Sequence, residues 1–198
     1  DKISVDEFQL NSPKLLAPAT EFMQELFVAE NQNAYYFLAV QLYQDILRFH
    51  QADKDPAAFF DADLNRLAFM QQNASKKKKN EAYQKTLEYY ARTFEGVEGA
   101  DQYSYLLARS FMEQAPADYK RALAICEKIT RTKKNTEGYA NCYNLIQEIR
   151  QPSLELNVEK VNLPNLAFRS LAGWRNLSTV HLRLVRLNES LRKSLFEE

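Results

Sequence analysis

Residues 154–163 read LELNVEKVNL and come shortly after Pro152, in a chain whose earlier part has the pattern of helices. Apolar Leu154, Leu156 and Val158 alternate with polar residues, which is the period of a half-buried β-strand. Pro152 also disfavours continuation of a helix, because its ring restricts the residue before it. The stretch therefore predicts a mainly α chain that changes to a short β segment at Pro152.

The composition excludes several classes of protein. Lysine plus arginine and aspartate plus glutamate both number 26, so no overall field attracts nucleic acid or an anionic membrane. No apolar run approaches the roughly 20 residues that span a bilayer. Only four glycines occur among 198 residues, which favours helices over an all-β fold with glycine turns. We therefore expect protein partners, no nucleic acid, and no membrane insertion by this chain.

Residues 1–150 contain about seven amphipathic helical patterns joined by short connections, the strongest at residues 34–50. Similar residues recur 34 positions apart: Tyr105 and Tyr139, Ala108 and Cys142, Phe111 and Leu145, Met112 and Ile146. Thirty-four residues is the period of the tetratricopeptide repeat (TPR), although the Trp and Gly of that consensus are absent. We interpret residues 1–150 as a TPR-like domain of antiparallel helix pairs, and a non-repeating helical bundle is the alternative.

Residues 151–198 form the predicted β segment. Three strand-like runs cover 153–161, 167–176 and 178–187. A sheet this small leaves its edges exposed, which indicates the beginning of a larger β-domain. Trp174 is the only tryptophan, and we expect it to be buried in this sheet or against the last helix.

The sequence contains no constellation that would carry chemistry. The only two histidines, His50 and His181, fall in different predicted domains. Residues 61–72 begin like a calcium loop but lack its glycine and its terminal glutamate. No phosphate loop, dinucleotide fingerprint or zinc spacing occurs, and Lys76–Lys79 is interpreted as a solvated helix entry. We therefore predict no catalytic residue, no cofactor, no metal ligand and no enzyme activity.

A TPR-like array has a concave groove lined by alternate helices. The exposed tyrosines of the helical domain are the candidates to line this groove. The other tyrosines belong to the core, as aromatic residues at helical spacing usually do. The set from which they come is Tyr35, Tyr36, Tyr43, Tyr89, Tyr90, Tyr103 and Tyr105.

Cys126 and Cys142 lie at equal distances from a turn predicted near residue 134. In an antiparallel helix pair they are therefore at the same height, and both fall on apolar stripes. We expect the two side chains to face each other. They act either as two small apolar residues at a tight crossing or as a disulfide, which requires an oxidising compartment and Cα atoms within about 7 Å.

Residues 151–189 resemble the entry to the first macroglobulin-like domain of bacterial alpha-2-macroglobulin family proteins, especially those of Bacteroidetes type. The matching features are PSL before a strand, VNLP (161–164), and RNLS followed by VHLRLVRL. A helical region precedes the first β-sandwich in those proteins as well, and the resemblance extends upstream to about residue 80.

The resemblance implies a periplasmic or cell-surface protein, often lipid-anchored, that traps or hinders proteases. The chain opens with DKISVDEF, which has neither Met nor an apolar signal core, and we expect a fragment of a longer protein. The internal thioester of some family members lies in a CxEQ motif, which neither cysteine matches.

These observations favour a non-catalytic N-terminal interaction or scaffold module of an alpha-2-macroglobulin-like protein. Its expected partners are the remaining macroglobulin-like domains and a protease or surface protein. The alternative is a self-contained TPR-like scaffold for protein–protein interaction, with the strands as a small addition. A hydrolase is the third hypothesis, and it lacks a convergent site.

Overall fold

Helices form most of the part of the chain that the computed structural model describes: residues 8–74, 79–131, 135–159 and 166–183, with single positions 161, 188 and 193. Within these residues, seven α-helices precede a two-stranded antiparallel sheet. The chain divides into two compact units, Asp1–Ile149 and Arg150–Glu198. The prediction of a mainly α chain with a short β segment is therefore confirmed.

The helices follow a short 3-10 helix at Pro13–Leu16. They are α1 (Ala19–Gln24), α2 (Tyr35–His50), α3 (Ala57–Asn73), α4 (Lys79–Thr93), α5 (Asp101–Glu113), α6 (Tyr119–Thr130) and α7 (Glu137–Arg150). The strands are β1 (Ser153–Val158) and β2 (Ser170–Arg175). Over the described residues, none of the helices combines the length and apolar character needed to cross a bilayer.

Short connections let successive helices pack as neighbours. Gly96 and Gly99 both have φ of +83° between α4 and α5, a conformation that costs glycine little. The side chain of Asp118 caps α6 by accepting a hydrogen bond from the backbone N–H of Arg121 at 3.0 Å. As a result α5 packs on both α4 and α6, and α2 packs on α3.

Helix α7 runs alongside α5 in the same direction. Asn141 donates to the side-chain oxygen of Gln102 at 3.1 Å, and Arg109 pairs with Glu148 at 2.8 Å. From the first pair to the second, the residue number rises in both helices, from 102 to 109 in α5 and from 141 to 148 in α7. The two helices are therefore parallel, and α6 lies between them in sequence.

The core of the first unit consists of apolar side chains from every helix and from the 3-10 helix before α1. Its fully buried members include Leu15, Phe22, Val40, Leu47, Leu67, Met70, Leu87, Tyr103, Ala108, Ala122, Cys126 and Cys142. Most of them recur at steps of three or four residues along their helices, which is the spacing of an amphipathic helix.

The second unit contains the hairpin of β1 and β2, which begins three residues after the end of α7. Leu154 lies opposite Trp174 in its register. Trp174 is 61% exposed, so the prediction that it is buried is wrong. A two-stranded sheet provides no second layer against which an indole can pack, and none of the β1 residues is buried either.

The third strand-like run is not a strand over residues 178–183, where the prediction is also wrong. An alternating pattern supplies side chains for a sheet, but a strand also needs a neighbour for its backbone hydrogen bonds. Residues 184–187 of this run lie outside the described residues, as do Lys76–Lys78 of the lysine cluster and residues 162–164 of VNLP.

Candidate functional site

The N-terminal segment, defined here as residues 8–25, lies against α2, α3 and α4. Six of its apolar side chains are almost completely buried: Leu10, Leu15, Leu16, Ala19, Phe22 and Met23. The 3-10 helix of this segment contacts α3 and α4, and α1 contacts α2. We refer to helices α2–α7 as the helical array. The array therefore packs around the N-terminal segment through α2, α3 and α4.

Arg66 of α3 is the centre of this contact. Its side chain is wholly buried, and it donates to the backbone carbonyl oxygens of Leu15 at 2.6 Å and Ala17 at 3.0 Å. Its guanidinium also pairs with Asp63, one helical turn earlier, at 2.7 and 2.8 Å. A buried arginine is tolerated only when its charge and its donors are satisfied, and these three partners satisfy them.

The pair of Asp63 and Arg66 is supported from two further sides. The hydroxyl of Tyr103 in α5 donates to the second carboxylate oxygen of Asp63 at 3.1 Å. The ring of Phe22, from the N-terminal segment, lies 4.5 Å from the guanidinium carbon of Arg66, a cation–π distance. The charges are thus enclosed by an aromatic ring of the segment and a hydroxyl of the array.

Helix α4 contributes two hydroxyl groups to the same segment. Thr86 donates to the carbonyl oxygen of Leu16 at 2.5 Å. The hydroxyl oxygen of Tyr90 accepts from the backbone N–H of Ala19, also at 2.5 Å. The first turn of α1 therefore receives a hydrogen-bond partner from the array.

Helix α2 satisfies the other end of α1. The side-chain amide of Gln44 donates to the carbonyl oxygens of Phe22 at 2.7 Å and Glu25 at 2.8 Å. Arg48 donates to the carbonyl oxygen of Met23 at 2.5 Å. The last carbonyls of a helix have no partner within the helix, and these two side chains supply one.

Burial raises the pKa of Tyr90 and of Tyr103 well above the usual value near 10, and the nearby charge of Asp63 raises both further. Both phenols therefore remain protonated at neutral pH. They serve as neutral hydrogen-bonding groups beside the carboxylate.

We refer to Gln44, Arg48, Arg66, Thr86 and Tyr90 as the backbone clamp. All of the hydrogen bonds described above between these side chains and the N-terminal segment go to backbone groups. Such contacts recognise an extended or helical backbone irrespective of its side chains. The arrangement is suited to holding a polypeptide.

The candidate groove aromatics separate into two groups. Tyr35 and Tyr89 are exposed, at 82% and 48%. Tyr36 is half-buried: its hydroxyl is 3.4 Å from the side-chain oxygen of Asn73, and its ring meets that of Phe69 edge-on. Tyr43 and Tyr105 are half-buried as well.

Tyr90 and Tyr103 are core residues, so they are not exposed groove aromatics. Their ring centroids are 4.5 Å apart, and they are 2% and 0% exposed. Their rings pack in the core, and their hydroxyls bond to Ala19 of the N-terminal segment and to Asp63, which the helical spacing of tyrosines does not reveal.

Cys126 and Cys142 are both free thiols, and both are completely buried. The structure brings them together, since the side chain of Cys126 hydrogen-bonds that of Cys142 across α6 and α7. This hydrogen bond, together with burial, raises the pKa of the Cys142 thiol, and the nearby charge of Asp101 raises it further. The Cys142 thiol therefore remains protonated at neutral pH.

The histidines do not converge on any site. His50 lies at the end of α2 with its Nδ1 atom 2.8 Å from the carboxylate of Asp53, and His181 is an exposed residue of the other unit. In the part of the chain that the structure describes, no three His, Cys, Asp or Glu side chains are grouped as metal ligands would be.

A separate groove of about 580 Å³ lies between α4, α5 and α6. Its lining is mainly apolar, with Phe94, Leu107 and Ile125 among its members. Lys128 and Glu95, which also line it, pair with each other at 2.7 Å.

Sequence reasoning missed Asp63 and Arg66 as residues of a site. It interpreted residues 61–72 as an ordinary helix, and charged residues are expected at the surface. One signal was present: Asp63 and Arg66 are three residues apart and lie on the stripe that contains Phe60, Leu67 and Met70. Opposite charges three residues apart on one face of a helix can pair, and here that face is apolar.

Comparison of the chain with protein-family models, curated proteins and solved structures found no match.

Proposed function

We propose that this chain is a non-catalytic interaction module whose helical array holds polypeptide segments through the backbone clamp. One observation carries the proposal: Arg66, wholly buried and paired with Asp63, donates to the backbone carbonyls of Leu15 and Ala17 in the N-terminal segment. Burying a charged pair costs several kcal/mol unless it is fully hydrogen-bonded. An array that needed only an apolar core would not require such a pair.

The proposed architecture of the module is a TPR-like array. The order of α5, α6 and α7 supports it, because a helix, its packed neighbour and a third helix parallel to the first form the unit of such arrays. The 34-residue spacing of similar residues in α5 and α7 is a second, independent support. A concave surface that binds polypeptide is the usual consequence of this stacking.

The proposed setting is the N-terminal part of an alpha-2-macroglobulin-like protein at the cell surface or in the periplasm. The support is the resemblance of residues 151–189, together with a hairpin that has no second layer within the described residues. In this setting the remaining macroglobulin-like domains, and a protease or surface protein, are the partners. The isolated chain is expected neither to cleave nor to inhibit proteases, and stoichiometric inhibition of several unrelated proteases would contradict this.

The experiment uses the full chain with a site-specific protease sequence inserted between Gln32 and Asn33, in the exposed connection after α1. After cleavage, a fluorescent peptide of residues 8–25 is added and its binding is measured by anisotropy. We expect saturable binding that Thr86→Val weakens about tenfold, since a buried carbonyl then loses its donor. The matched control is Thr130→Val, because the Thr130 hydroxyl bonds only to carbonyls of its own helix, such as that of Cys126 at 3.0 Å.

Equal binding by the two threonine variants, or no binding to the cleaved chain, would contradict a backbone-binding function. Circular dichroism of each cleaved variant establishes that the helices remain folded during the measurement.

A further inference from the structure

We propose that the N-terminal segment is an exchangeable occupant of the backbone clamp. A second polypeptide replaces it if it carries two adjacent leucines followed by a short helix with a Phe-Met pair. This proposal rests on the proposed function and adds a partner and a form of regulation to it. The protein then exists in a closed state, with its own segment bound, and an open state that is available to the partner.

The clamp residues are positioned by the array itself. Asp63 orients Arg66 through hydrogen bonds of 2.7 and 2.8 Å, and Tyr103 orients Asp63. Tyr90 packs against the rings of Tyr103, at 4.5 Å, and Phe94, at 5.6 Å. None of these contacts involves the segment, so we expect them to remain when it leaves. A binding site that is already organised loses little entropy on binding, so the same surface can accept an equivalent chain.

The connecting loop, residues 26–34, is bound to the array less extensively than the segment is. Leu26 and Val28 are 84% and 75% exposed. The backbone N–H groups of Asn33 and Ala34 bond within the loop, to the side-chain and carbonyl oxygens of Asn31. The loop can therefore remain attached to α2 while the segment leaves the clamp.

The identity of the partner follows from what the segment offers. The hydrogen bonds go to its backbone, and they are blind to sequence. Selection must therefore come from the buried side chains, of which Leu10, Leu15, Leu16, Phe22 and Met23 are the largest. A partner segment needs apolar groups of these sizes at these spacings, and its polar positions can vary.

Attachment of the segment makes it a competitor of the partner. A short tether gives an effective concentration of the order of millimolar. With an intrinsic dissociation constant of the order of micromolar for the segment itself, the partner binds the closed protein about 1000-fold more weakly than the open one. Weakening the attached segment should restore this affinity.

The test measures binding of the fluorescent peptide of residues 8–25 to three forms of the full chain: intact, cleaved after Gln32, and uncleaved Phe22→Ala. A peptide with the same residues in scrambled order is the control. We expect binding to Phe22→Ala at least 100-fold tighter than to the intact chain. If Phe22→Ala is unfolded alone, the peptide should restore its helical circular dichroism, and the milder Phe22→Leu should bind at least tenfold tighter than the intact chain.

The outcomes separate this proposal from the function on which it rests. If the peptide binds the cleaved chain but neither Phe22 variant gains affinity or structure, exchange is wrong and backbone binding stands. If the peptide binds none of the forms, both proposals are wrong. If the scrambled peptide binds as well as the native one, selection by the buried apolar side chains is wrong.

Discussion

The guanidinium carbon of Arg66 lies 4.5 Å from the ring centre of Phe22, although the two residues belong to α3 and α1. On its edges the same guanidinium contacts the carboxylate of Asp63 and two backbone carbonyls. One side chain therefore joins a charge of the array, the backbone of the N-terminal segment and an aromatic ring of that segment. We expect both the stability of the protein and its binding of a polypeptide to depend on the Arg66 guanidinium.

Replacing Arg66 with methionine should destabilise the protein by about 3–5 kcal/mol, because the carboxylate of Asp63 remains buried without its partner. The measurement is urea unfolding followed by circular dichroism. Arg109→Met is the matched control, since Arg109 pairs with Glu113 and Glu148 while its own side chain is 38% exposed. Its cost should be no more than about 1 kcal/mol. Equal costs for the two variants would show that the buried pair is not the centre of the site.

Stability should fall as the pH rises above 10. Burial raises the pKa of Tyr83 to about 12, and it raises those of Tyr90 and Tyr103 further. Above pH 10 the unfolded chain loses these protons while the folded chain keeps them, so folding becomes less favourable. Each tyrosine lowers the free energy of unfolding by about 1.4 kcal/mol per pH unit between its unfolded and folded pKa.

The measurement is urea unfolding between about pH 8 and about pH 11.5, a range that includes the ordinary tyrosine pKa of about 10. In Tyr103→Phe the free energy of unfolding should fall less steeply with pH, because the contribution of one buried tyrosine is removed. Thr86→Val should lower stability at every pH and leave the slope unchanged, because threonine does not titrate. The same slope in Tyr103→Phe as in the unsubstituted protein would contradict the prediction.

The thiols of Cys126 and Cys142 should be inert in the folded protein. Both are completely buried, and the raised pKa of Cys142 further reduces the amount of its thiolate, the form that reacts with disulfide reagents. We expect labelling by an aromatic disulfide to be more than 100-fold slower than in urea, at the rate of local opening. Fast labelling of native protein would show that the helices α6 and α7 do not enclose the pair.

The sequence predicted the elements of this fold better than it predicted the site. Helix α2 was expected at residues 34–50 and occupies Tyr35–His50, because its apolar stripe has a clear period. Periodicity has no means of indicating that Tyr90 turns its hydroxyl to the backbone of Ala19, which is 71 residues away in sequence. For Trp174 the expectation of burial was wrong because composition says nothing about whether a second layer is present.

Helix α7 approaches α5 at a glycine, and this gives the last prediction. A Cβ atom on Gly138 would lie 2.5 Å from the backbone carbon of Asp101 and 2.6 Å from the backbone nitrogen of Gln102. Backbone atoms cannot move aside as a flexible side chain can, so Gly138→Ala must push the two helices apart. Overpacking of this kind costs about 1–3 kcal/mol, and the contact with α5 at the start of α7 should loosen.

The matched control for this substitution is Gly173→Ala, since a Cβ atom on Gly173 in β2 meets nothing within 4 Å. Urea unfolding should show a loss for Gly138→Ala and a change within about 0.5 kcal/mol for Gly173→Ala. Hydrogen exchange should localise the loss to the first turns of α5 and α7, where Thr136 donates to the carboxylate of Asp101. If Gly138→Ala is as stable as the unsubstituted protein and exchange in these turns is unchanged, α5 and α7 are not in close contact at Gly138. The parallel packing of α5 and α7, which supports a TPR-like array, would then be wrong at this contact.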